Sequence, residues 1–143
     1  MILGVGTDIV GSNRFAAMST FSYDRLRTFF SEAELMAAQD PKNSKHFLPE
    51  KLATRFAAKE ALFKALSATL VRLGHTQKTF SLRFLAQISS VQITIWGVPE
   101  FHVDCAALEQ KIGVKLPSLH IHLSLSHERE HVLAFVVCEL YKS

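Results

Sequence analysis

"EKLATRFAAKEALFKALSATLVRL", residues 50–73, contains no proline or glycine and consists mostly of Ala, Leu, Lys and Glu, residues that lose little on entering a helix. It predicts the longest helix of the chain. At about 100° per residue, Leu52, Phe56, Phe63, Leu66 and Leu70 form a narrow bulky stripe, the core face, while Ala53, Ala57, Ala61, Ala65 and Ala68 cover much of the remaining circumference. A helix apolar nearly all round belongs in the interior, and small side chains let another backbone or a ligand come close. The charges at Arg55, Lys59, Glu60 and Lys64 therefore need an account. Glu60 and Lys64 stand one turn apart on the seam between the two faces. Read alone they are an i,i+4 ion pair worth about 0.2 to 0.5 kcal/mol; on that seam they can also face a site. Lys59 falls in the bulky stripe, so it either snorkels or reaches into a site. Arg55 can hold a phosphate or pair with an acidic neighbour.

Upstream, residues 2 to 10 read as a strand containing "GVGTDIV" (4–10). Its Asp8 needs a partner, because an unpaired buried charge is costly. Asn13 to Met18 and Tyr23 to Phe30 read as helical, rich in Arg and Phe. Ser31 with Glu34 three residues on is a capping-box pattern opening a helix; residues 38 to 50, polar with two prolines, read as a loop. Beyond Gly74, the segment through Val103 has β-branched and aromatic residues at alternate positions and a "WGVP" turn, predicting two or three strands. "DCAALEQKIGVK" predicts a helix ending near Gly113. "LHIHLSLSH" and "HVLAFVVCEL" predict strands joined at "EREH". Helices and strands without regular alternation indicate an α+β fold: one domain, residues 1–143, a long central helix packed on an antiparallel sheet.

Composition narrows the function classes. The chain is 48% hydrophobic and 20% charged, with 16 Lys plus Arg against 13 Asp plus Glu, a net charge of +3. That mild excess suits an acidic partner or a phosphate-bearing ligand. A nucleic-acid-binding domain has little support, since basic and aromatic residues are not interleaved on a strand pair. Cys105 and Cys138 have no CxxC spacing, so neither a disulfide framework nor a thiolate metal site is expected. No apolar run approaches the roughly 20 residues of a membrane span, and no export signal is read at the start of the sequence. The expectation is a cytoplasmic protein.

Two carboxylates, Asp8 and Glu60, with lysines nearby suit Mg²⁺, which takes one or two protein carboxylates and completes its shell with waters and phosphate oxygens. Sequence pattern leaves open whether they meet. His120 and His122 share a strand face, and with His127 and His131 they invite a zinc reading; no recognised spacing supplies a third ligand.

"GVGTDIV", "FSEAEL", "RFAAKEALFKAL" and "HIHLSLSHEREHVLAFVVCEL" occur in the order and approximate spacing of the holo-acyl-carrier-protein synthases, the small bacterial phosphopantetheinyl transferases, and "GVP" (97–99) resembles that family's Gly-x-Pro turn. The resemblance spans essentially the whole chain, and Gly6 to Val10 and Arg55 to Ala61 are its most specific parts. It implies a 4′-phosphopantetheinyl transferase-like fold and transfer of the phosphopantetheine arm of coenzyme A to a serine of apo acyl carrier protein. That reaction releases adenosine 3′,5′-bisphosphate and supports fatty acid biosynthesis. The resemblance further implies that Asp8 and Glu60 hold Mg²⁺, that Glu60 helps take the serine proton, and that Lys64 contacts the phosphates. Arg55, Lys59 and His127 become candidate coenzyme A contacts, His127 at the nucleotide end. Arg14, Arg25 and Arg27 become candidates for receiving the acidic carrier protein. A homotrimer with coenzyme A between subunits is implied as well. The chain departs from the family in carrying Ser67-Ala68-Thr69-Leu70 where a Gly-Thr-Gly turn is usual, so its helix is expected to run longer, and in having Gly11 where an acidic residue is common. The alternative reading is a non-catalytic homologue that binds carrier protein or nucleotide.

Overall fold

Alternation in the first strand decides where the long helix lies. In the computed structural model, which describes residues 1–77 and 79–141, strand β1 (Ile2–Gly11) turns Gly4, Gly6, Asp8 and Val10 to one face. Two short 3₁₀ turns, Ser12–Phe15 and Ala17–Thr20, lead to the single turn α1 (Tyr23–Leu26), so the expected first helical stretch is broken into short pieces. Helix α2 (Glu32–Ala38) opens on the complete capping box: Ser31 Oγ accepts from the Glu34 amide at 3.2 Å, and the Ser31 amide donates to Glu34 Oε1 at 2.8 Å. The segment read as a loop holds a small antiparallel ribbon, β2 (Gln39–Asp40) with β3 (Asn43–Phe47), closed through Pro41 and Lys42.

Helix α3 (Pro49–Arg72) begins with proline in its first turn, where no amide donor is needed. It runs straight through the Ser67 to Leu70 departure, Thr69 Oγ1 bonding back to the Ala65 carbonyl at 2.9 Å. Residues Leu82–Gln87 form helix α4, capped by Ser81 Oγ accepting from the Phe84 amide at 3.1 Å, where the alternating pattern predicted strand; the Lys78 part of that prediction lies outside the described residues. Strands β4 (Ser89–Ile93) and β5 (Pro99–Val103) pair antiparallel across a turn in which Gly97 has φ 74°. Helix α5 (Cys105–Ile112) is capped by Asp104 and stopped by Gly113 in the left-handed region, as expected. Strands β6 (Leu119–Glu128) and β7 (His131–Leu140) form the final hairpin.

The main sheet has the order β1-β7-β6, antiparallel throughout. Helix α3 crosses one face of it, and the contact is made by the alanine side of the helix. A Cβ on Gly6 would collide with the Ala61 carbonyl oxygen, and one on Gly4 with the Ala65 carbonyl oxygen and the Thr69 hydroxyl. Ala57, Ala61, Ala65, Ala134, Val136 and Cys138 are fully buried there. The bulky stripe faces the satellite elements instead: the Phe56 ring lies 5.2 Å from Phe15 and 5.1 Å from Phe29, and Phe63 lies 5.3 Å from Phe80. The outer sheet face stays open, with Val5, Ile9, Leu133 and Phe135 all exposed.

Candidate active site

The glycine contacts set the register of strand against helix. Gly4 meets Ala65, and Gly6 meets Ala61; two strand residues advance about 6.6 Å and four helix residues about 6 Å. The next inward residue, Asp8, therefore comes level with the turn from Ala57 to Ala61, which includes Glu60. Lys64 confirms the alignment: its Nζ donates to Asp8 Oδ1 at 3.0 Å and to the Thr7 carbonyl at 2.8 Å. That reach toward the helix N-terminus is the direction in which helical side chains lean. Glu60 sits one turn before Lys64 on the same edge.

The two carboxylates are underused by the protein. Asp8 is only 14% exposed, and its Oδ2 is buried with no hydrogen-bond partner among the described residues. The Glu60 carboxylate, half-buried, has no hydrogen bond or ion pair among them either. A buried anionic oxygen without a donor calls for a cation or a water network. Among the described residues no group of three or more His, Cys, Asp or Glu is placed to hold a metal. The free oxygen of Asp8 and the carboxylate of Glu60 are hard donors of the kind Mg²⁺ takes, one or two at a time, beside phosphate oxygens. His122 instead lies 3.1 Å from Glu139, and His120 packs edge-on against Tyr141.

Two residues expected at coenzyme A point elsewhere. Lys59 is fully buried and spends all three ammonium donors inside the protein, on the Phe29 carbonyl at 2.8 Å, Glu34 Oε1 at 2.6 Å and the Ala86 carbonyl at 2.9 Å. It neither snorkels nor reaches the Asp8 edge, so no donor is left for a ligand. Burial lowers its pKa, and Glu34 opposes that shift. Arg55 is also buried, giving Nη1 to the Lys51 carbonyl at 3.2 Å while Nε has no partner among the described residues. Desolvation lowers its pKa too, against the attraction of Glu34. Neither side chain makes a contact with Asp8, Glu60 or Lys64.

His127 lies at the far end of β6, opposite Val132, in a cleft of about 180 Å³ shared with Ser12, Glu50, Lys51, Thr54 and Arg129. Lys51 and Arg129 were missed in the sequence. The available signals were the first turn of the long helix and the "EREH" turn, where Arg129 takes φ 54°. Arg14, Arg25 and Arg27 are exposed on the segment after β1; Arg25 lies over the Phe21 ring at 3.6 Å and Arg27 over Tyr23 at 5.6 Å. None of the three contacts the Asp8 edge.

Known proteins resemble this chain over nearly its whole length. Residues 4–136 match the model of the 4′-phosphopantetheinyl transferase superfamily. Holo-[acyl-carrier-protein] synthase of Treponema pallidum is 38% identical over 139 residues, 97% of each chain, and that of Borrelia hermsii is 33% identical over 141 residues, 97% of this chain and 99% of the other. The solved structure of a holo-(acyl-carrier-protein) synthase from Bacillus anthracis in complex with CoA (3′,5′-ADP) superposes with a TM-score of 0.67 at 30% identity, covering 99% of both chains. With a family model matched over nearly the whole chain and relatives at 33 to 38% identity, this chain belongs to the holo-[acyl-carrier-protein] synthase family of phosphopantetheinyl transferases.

Proposed function

We propose that this protein moves the 4′-phosphopantetheine arm of coenzyme A onto a serine of apo acyl carrier protein, releases adenosine 3′,5′-bisphosphate, and so serves fatty acid biosynthesis in the cytoplasm. The observation that carries the reading is the buried Oδ2 of Asp8, unpartnered among the described residues, on the same edge as Glu60 and Lys64. Family membership and the coenzyme A complex of the Bacillus anthracis relative support it.

Asp8 and Glu60 would hold Mg²⁺, which when bound supplies positive charge against the pyrophosphate. The serine oxygen forms a bond to the phosphorus bearing the pantetheine arm as the bond to the bridging pyrophosphate oxygen breaks. The hydroxyl proton goes to Glu60, directly or through a water, and the electron pair of the broken bond leaves with the adenosine bisphosphate. Lys64, half exposed, can turn from Asp8 toward the phosphates. In such transfers alignment and charge neutralisation provide most of the rate. Lys51, His127 and Arg129 in their shared cleft suit the nucleotide's remaining phosphate, and Arg14, Arg25 and Arg27 suit an acidic carrier surface. The open apolar sheet face around Val5, Ile9, Leu133 and Phe135 supports self-association, read here as a trimer. Light scattering on the eluting protein tests that. No described helix is long and apolar enough to cross a membrane.

The test incubates the protein with apo acyl carrier protein, coenzyme A and Mg²⁺ and weighs the carrier by mass spectrometry. The parent adds one phosphopantetheine; Asp8→Asn and Glu60→Gln lose at least about 10²-fold in rate. An unmodified carrier with the parent protein overturns the proposal and leaves the binding-only homologue.

A further inference from the structure

The pair formed by Lys59 and Glu34 is unused by the reaction, yet it gathers five hydrogen bonds in the core. Both side chains are fully buried. Glu34 Oε1 takes the Lys59 ammonium and the Ser31 amide, and Oε2 takes the Val91 amide at 3.0 Å. With the Phe29 and Ala86 carbonyls on Lys59, the pair ties α3 to the segment after α1, to α2, to α4 and to β4. A pair so placed gains little stability over a well-packed apolar replacement, because desolvation offsets the attraction. Its geometry is a different matter. At about 100° per residue Lys59 lies roughly 160° around the helix from Ala61, which meets β1, so the sheet and the pair grip opposite sides of α3. Glu60, the next residue, projects at the edge between those grips.

We propose that the Lys59–Glu34 pair is a positioning device that fixes the roll of α3 and thereby aims the Glu60 carboxylate at the edge it shares with Asp8 and Lys64. The idea rests on the reading of Glu60 given above. A helix with its side chains is about 5 to 6 Å in radius, so a roll of about 10° moves a carboxylate by about 1 Å. A displacement of that size can cost about 10²-fold in rate. The glycine contacts fix how near β1 comes to the helix; the pair fixes which way the helix faces.

The test removes both charges together, in Glu34→Leu/Lys59→Met, so that no lone ion is left buried, with Lys59→Gln as a second variant that keeps a donor toward Glu34. Thermal melting checks folding. Steady-state transfer gives kcat and the KM for coenzyme A, and electron paramagnetic resonance gives the affinity for Mn²⁺ in the presence of coenzyme A. The expected result is a folded double variant whose kcat falls about 10²-fold while the KM for coenzyme A changes less than about threefold, with Mn²⁺ bound about tenfold more weakly. A folded double variant with parental kcat and Mn²⁺ affinity overturns the proposal. Failure of both variants to fold also overturns it, assigning the pair to stability alone. Glu60→Gln is assayed alongside: if it is fully active, the reading of the site fails; if it is inactive while the folded double variant is unimpaired, only the positioning role fails.

Discussion

Lys64 holds one oxygen of Asp8 at 3.0 Å, and the other oxygen of that carboxylate is buried without a donor among the described residues. Half of the aspartate is thus committed to the protein and half is left over. Because Lys64 is itself 49% exposed, the pair adds little to stability. Lys64→Met should shift unfolding free energy by less than about 1 kcal/mol, measured by urea titration, and should slow transfer to the carrier by at least about tenfold, measured by mass spectrometry. A large loss of stability with full activity would make the lysine a structural strut.

Gly6→Ala should be far more damaging than its single methyl suggests. The new carbon meets the Ala61 carbonyl oxygen and the Ala65 amide nitrogen, both backbone atoms of α3, which cannot turn aside. Overpacking of this kind costs about 1 to 3 kcal/mol or more. The melting temperature should fall, and activity should fall with it, as β1 is pushed from the helix.

Ser31→Ala removes the cap acceptor for the Glu34 amide and also the hydroxyl contact to Ser90 at 2.7 Å. A loss of about 1 to 2 kcal/mol is expected in chemical denaturation. Ser31→Thr, which keeps the cap, should recover most of it.

Cys138 is fully buried between the sheet and α3, and desolvation pushes its thiol from 9.0 up to about 11 because the thiolate would lose its water there. The sign follows directly. The folded state keeps a proton that the unfolded thiol gives up, so the stabilising contribution is complete below the unfolded pKa and is lost as pH rises from about 9 toward about 11. Stability should decline there by up to about 1.4 kcal/mol per pH unit from this group. Urea titrations of the parent and Cys138→Ala across that range should differ in slope. A thiol reagent at neutral pH should modify Cys105, which is exposed, and spare Cys138.

Trp96 is the only tryptophan of the chain and is 86% exposed at the tip of the β4–β5 ribbon, next to Ile95 at 96%. Its emission should therefore match free indole in water and be quenched readily by acrylamide. Ile95→Ser and Trp96→Ser should leave stability within about 0.5 kcal/mol.

Features with long or redundant signals were legible in the sequence. Helix α3 has no breaker for its whole length, the Ser31–Glu34 box names its own helix start, and the last hairpin alternates cleanly on both arms. Helix α4 was misread because six residues make fewer than two turns, over which alternation and helical spacing can mimic one another; its one distinctive mark was Ser81 at the cap. In the site, the meeting of Asp8 with Lys64 spans 56 residues, and no local pattern encodes such a contact; the family resemblance implies Asp8 with Glu60 on Mg²⁺ and Lys64 on the phosphates, and leaves the ion pair between Asp8 and Lys64 to the fold. Lys59 and Glu34 show the opposite case. Each carries a local signal, Lys59 in the bulky stripe of its helix and Glu34 in a capping box, and neither signal encodes the opposite charge that it meets across the core.

The bare backbone of Gly4 and Gly6 also determines what kind of perturbation the candidate site can resist. Because the spacing between strand and helix is set by two absent methyl groups, it is a hard-core distance. High salt can loosen the lysine from the aspartate, but ions in the buffer have no purchase on atomic radii. The platform should therefore keep its dimensions under conditions that silence its charges.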